Sequence, residues 1–176
     1  MDAALLQSLV AGAGSGGQLV GGLVIVSLYA VIGLLAAAGS ILIIPRIVQG
    51  RWEPIFWALF LVVIAGFYLS FAAYFAASTH AWQTELVGVA VFLAFCVAGL
   101  LSRPAIALGY LAHGLWDLSH SLSGSSLAGL ELTEIPLGYG VFCVAYDLVV
   151  ACYLMTNRAA WQEPGRLDLT FWRPRP

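Results

Sequence analysis

Apolar residues run in five blocks along this chain, and polar residues collect between the blocks. The blocks cover about residues 18–44, 55–77, 81–101, 105–121 and 135–155. Each approaches the ~20 apolar residues that a helix needs to cross a bilayer. The first has no charge; Gly33, Ala36, Ala37, Ala38 and Gly39 suit it to close helix packing, and Pro45-Arg46 is expected to end it. Pro54 opens the second, where a missing N–H costs nothing. Glu85 stands near the start of the third, which closes at Ser102-Arg103-Pro104. The pattern predicts an all-α membrane protein, a single domain built as a bundle of five transmembrane helices over residues 1–155. A polar tail follows over 156–176.

Composition narrows the class. Hydrophobic residues make up 61% and charged residues 9%, against ~45–50% and ~25% in soluble domains. A soluble enzyme of this size would expose large apolar patches, and a disordered chain needs far more charge. No basic patch for nucleic acid is visible. Residues 1–17 lack a basic leader and a continuous apolar run, so no signal peptide is expected. Cys96, Cys143 and Cys152 all sit in apolar blocks, and the odd number argues against a disulfide framework; Cys96 and Cys152 read as small hydrophobic fillers.

Charge also orients the chain. There is no lysine, and the seven cations are arginines. Arg46 and Arg51 lie between blocks one and two, Arg103 between three and four, and Arg158, Arg166, Arg173 and Arg175 after block five. With five spans all seven fall on one side, as the positive-inside rule requires. The expected orientation has the N-terminus outside and the C-terminus in the cytoplasm, in a plasma (inner) membrane. Trp52, Trp57, Trp82 and Trp161 fall near block ends, where indole rings favour the interface. No internal repeat is visible, so the inverted-repeat plan of many transporters has no support.

The fourth block carries the chemistry. His113, Asp117 and His120 are spaced i, i+4, i+7 and share one helix face. Tyr110 borders that face, and Leu111, Leu115, Leu118 and Leu122 occupy the other. Asp147 in the fifth block lies ~18 Å from the block's start, and His113 ~12 Å from the same surface. The two blocks are consecutive and antiparallel, so Asp147 is expected to face His113 and Asp117, with Glu85 capping the group. An intramembrane carboxylate costs ~3 kcal/mol on insertion scales, and such residues are functional by default. A His–Asp pair can also simply join two helices, for ~1 kcal/mol.

The stretch 106–122 with Asp147 downstream resembles an uncharacterised family (a domain of unknown function) of small bacterial polytopic membrane proteins. The family core is Gly-x-x-x-His-x-x-Trp-Asp-x-x-His, matched here by Gly109, His113, Trp116, Asp117 and His120. Trp82 to Glu85 and Cys143 to Asp147 match at looser spacing. The resemblance covers most of the chain. It implies a shared fold and polar cluster, and no activity.

Three functions fit these residues. The first is a membrane enzyme on a lipidic substrate, with one divalent, zinc-like metal held by His113, Asp117, His120 and Asp147. Asp117, Asp147, Glu85 and His113 are then the catalytic candidates, and Tyr110, Trp116, Tyr139, Cys143 and Tyr146 the substrate-pocket candidates. The second is a metal-free acid–base cyclase or isomerase of isoprenoids: a buried carboxylic acid donates the proton and aromatic faces, Phe142 among them, stabilise a cation. The third is a proton or ion pathway, or a structural or cofactor-holding subunit. A pathway needs a homo-oligomer to line it. Three histidines cannot build the eight-histidine di-iron site of membrane desaturases. His80 reads as a solvated loop residue, and the Ser- and Gly-rich segment 121–134 as a lid.

Overall fold

The computed structural model describes residues 3–48, 50, 52–123, 126–127 and 129–156. It contains five helices: α1 (Ala3–Ile47), α2 (Trp52–Tyr74), α3 (Thr79–Leu101), α4 (Arg103–Ser123) and α5 (Leu137–Thr156). A short antiparallel hairpin, β1 (Ser126–Leu127) and β2 (Leu130–Glu131), lies between α4 and α5. Four helices (residues 19–47 of α1, then α2, α3 and α5) are long and apolar enough to cross a membrane. α4 has 21 residues, ~31 Å of helix, but its polar face leaves it short of that apolar standard.

Helix ends follow local chemistry. α1 runs through Pro45 to Ile47, past the expected stop. Proline in the last turn removes one backbone bond, and there the Arg46 guanidinium donates to the Leu42 carbonyl. α2 starts three residues before the expected 55 and ends three before 77. Ala76 takes φ +50°, Ala77 N–H donates to Ala72 O at 2.9 Å and Ala76 N–H to Ala73 O at 3.4 Å. This is the Schellman arrangement that satisfies terminal carbonyls. The Ser78 side chain caps α3 by accepting from Ala81 N–H at 3.1 Å. One residue, Ser102, separates α3 from α4, and the bare Gly99 takes the Ile106 side chain across that corner.

Neighbours in the bundle run α1, α5, α4, α3, α2, and α4 also touches α2. The most polar helix thus sits in the middle against three partners. The most apolar stands at the edge, on α5 alone among the helices it packs substantially against. This is the arrangement that an apolar solvent favours: polar side chains need protein partners, and aliphatic ones do not. Leu23, Val63, Val87, Leu115 and Leu148 remain exposed on the five helices, as lipid-facing residues do.

The core holds Trp57, Leu61, Ala65 and Tyr68 of α2, Phe92 of α3, Ile106 and Tyr110 of α4, and Val150 and Leu154 of α5. Two expectations change here. Trp57 is no interface residue: it is fully buried, with its ring against Tyr110 and Tyr153 and Nε1 directed at Glu53. Cys152 is exposed rather than a core filler, while Cys96 and Cys143 are buried. Arg51, Trp161 and the tail from 157 lie outside the described residues.

Candidate functional site

The polar face of α4 points inward. His113, Asp117 and His120 are all buried, as are Glu85 of α3 and Asp147 of α5. The i, i+4, i+7 spacing makes one stripe, and the central position of α4 turns that stripe toward α2, α3 and α5. Gly114 faces α5: a Cβ there would make ordinary contact with Asp147 Cβ, at 3.5 Å.

Two clusters result, not one. In the first, His113 Nδ1 lies 2.7 Å from Asp147 Oδ2 and 3.0 Å from Asp117 Oδ2. Tyr68 of α2 donates its hydroxyl to Asp117 Oδ1. His113 Nε2, Asp117 Oδ2 and Asp147 Oδ1 are buried without a hydrogen-bond partner. One donor atom from each of these three residues falls within 4.8 Å of the others, a spacing that can hold a metal ion. In the second, His120 Nε2 is 2.9 Å from Glu85 Oε1, and His120 Nδ1 is 2.8 Å from the Trp116 carbonyl. Thr133 N–H donates to the same Glu85 oxygen at 2.9 Å. His120 therefore leaves the expected four-ligand set; its face of α4 has rotated toward α3. Glu85 caps the second cluster and not the first.

Tyr68 was missed by sequence reasoning. It joins the two clusters: its ring centroid lies 4.6 Å from that of His120 and 5.8 Å from that of His113. Nothing but its place on the buried stripe of α2, with Trp57, Leu61 and Ala65, could have pointed to it. Glu53 was missed too; it is buried near the other end of α2 and accepts from Tyr153 at 2.5 Å.

A groove of about 690 Å³ runs between α3, α4 and the hairpin. Of the five expected pocket residues, Trp116 lines it, and Tyr110, Tyr139, Cys143 and Tyr146 do not. Tyr110 donates to the Trp57 carbonyl at 3.0 Å. Tyr146 donates to Ser40 of α1 at 3.1 Å, and the Tyr139 ring packs on Phe71. Helix-face arithmetic placed these rings on the right helices but could not say which neighbour each would meet. Just after the hairpin, Leu132 and Thr133 are buried. His80, near the start of α3, lines the outer part of the groove.

The sequence profile of a family of unknown function, DUF6010, matches residues 26–160. The chain belongs to this family. The matched span includes every member of both clusters. No curated protein and no solved structure matches the chain.

Proposed function

We propose that this DUF6010 protein is an integral membrane enzyme acting on a lipidic substrate, with His113, Asp117 and Asp147 holding one divalent cation. The observation that carries this reading is the convergence of one imidazole and two carboxylates, wholly buried, with an atom on each that no well-directed hydrogen bond satisfies. Two buried carboxylates and one imidazole cannot balance their charge without a cation or added protons. A nitrogen and two oxygens form a donor set suited to zinc or a related ion. Binding would displace the proton that joins His113 Nδ1 to Asp147 Oδ2. Such an ion supplies Lewis-acid polarisation of a carbonyl or phosphoryl oxygen. Tyr68 would hold Asp117 in place. In this reading α4 also crosses the membrane, making five spans, the N-terminus is outside, and the arginine-bearing ends face the cytoplasm across the plasma membrane.

A second reading has one observation of its own. The 2.7 Å separation of His113 Nδ1 from Asp147 Oδ2 is a direct hydrogen bond. That favours metal-free acid–base chemistry, with the shared proton as the working group.

Elemental analysis of the detergent-purified protein separates the two. The expected result is a near-stoichiometric divalent metal in the wild type that is lost in His113→Ala. A folded wild type that holds no metal, even after reconstitution with zinc, manganese or iron(II), overturns the metal reading and leaves the acid–base one.

A further inference from the structure

We propose that the groove between α3 and α4 binds a single-chain lipid with an uncharged, hydroxyl-bearing headgroup, taken sideways from one leaflet. This deepens the lipid-enzyme reading and rests on it for the substrate class. Gly88, Phe92, Ala112 and Trp116 form the apolar floor. At this floor the bare Gly88 packs directly on Trp116: a Cβ there would lie 3.2 Å from the indole ring. Val87 and Val91 form a wall and are themselves exposed, so the groove opens toward the bilayer. From His80 to Phe92 the groove follows α3 for ~18 Å. That is close to half of the ~30 Å hydrocarbon core, the depth reached by one acyl chain of one leaflet.

The polar end defines the headgroup. His80, Gln83, Thr84 and Glu131 gather there, beside the hairpin. No lysine exists in the chain, no arginine lies between residues 52 and 102, and Arg103 stands at the opposite end of α4. A phosphate would therefore meet a carboxylate and no fixed cation. Hydroxyl groups are complemented: Glu131 accepts, Gln83 both donates and accepts. Trp116 Nε1 is a buried donor without a partner, and a Cβ at Gly88 would lie 3.5 Å from it. The indole ring lines the groove, and its Nε1 is turned against Gly88. The groove adjoins the first cluster through Phe92, whose ring centroid is 4.9 Å from that of His113.

The test uses the full chain in phosphatidylcholine nanodiscs and a diazirine-bearing monoacylglycerol photoprobe. Expected are adducts on α3 and α4 between residues 80 and 116, competed by 1-oleoylglycerol. Lysophosphatidic acid of the same chain should compete at least tenfold less well. Gly88→Leu and Val91→Trp should each cut labelling tenfold or more; Val91 is lipid-exposed, so that variant keeps the fold and a monodisperse elution profile checks it. Labelling on other faces, equal competition by the anionic lipid, or labelling unmoved by both variants overturns the proposal. Metal content is scored separately. Metal without labelling removes the groove and keeps the metal reading; labelling without metal does the reverse.

Discussion

Tyr68→Phe removes one oxygen from the junction of the two clusters. The ring stays, so packing on His120 at 4.6 Å is unchanged and no cavity opens. Asp117 loses the hydroxyl that served Oδ1, and its Oδ2 already lacks a well-directed partner. A buried acceptor left bare costs ~1–3 kcal/mol, while hydrogen bonds between membrane helices average ~0.6 and reach ~1.7 kcal/mol. The expected loss of stability is therefore ~1–2 kcal/mol. For a chain of this length that corresponds to a fall in Tm of ~2–8 °C. Circular dichroism melts in one detergent measure it. Tyr74→Phe is the control, because Tyr74 is 81% exposed and should change nothing. If Asp117 is a ligand, losing its supporting hydroxyl should also weaken metal affinity ~10–100-fold. A competing fluorescent chelator reads this. Equal melts for the two variants would refute the hydrogen-bond reasoning, and unchanged affinity would refute Asp117 as a ligand supported by Tyr68.

Two further outcomes are expected. Gly33→Ala should destabilise by ~1–3 kcal/mol, because its Cβ would strike the Phe142 carbonyl oxygen, a backbone atom of α5 that cannot swing aside. Gly39→Ala meets nothing within 4 Å and should be neutral or slightly stabilising, so equal melts for this pair would show that α1 does not pack on α5 through Gly33. Glu85→Ala strips the acceptor from Thr133 N–H and His120; amide exchange at Thr133 should quicken by ~5–150-fold, the equivalent of ~1–3 kcal/mol. Unchanged exchange would mean that the hairpin segment is held by other contacts.

The polar stripe was legible because helical periodicity converts spacing into direction. His113, Asp117 and His120 could be placed on one face without coordinates. Antiparallel succession made Asp147 the natural partner, and it is the partner of His113. The division into two clusters was not legible. Whether His120 turns toward His113 or toward Glu85 depends on where α3 stands around α4, and neither periodicity nor hydropathy encodes that. Tyr68 escaped for the same reason: a tyrosine among the aromatic residues of α2 carries no local mark until α4 is packed against it.

Hydropathy and charge by themselves determined that this chain forms long apolar helices, which of them bears the ionisable residues, and that those residues share a face. Such properties follow from one helix and its solvent, so they are local. Tertiary packing alone decided which carboxylate meets which histidine, that Trp57 is buried and Cys152 exposed, and that an open groove lies beside the buried clusters. Each of these depends on the rotation and neighbour order of whole helices. Those are set by small residues such as Gly33, Gly99 and Gly109, where one missing methyl group brings two helices within reach.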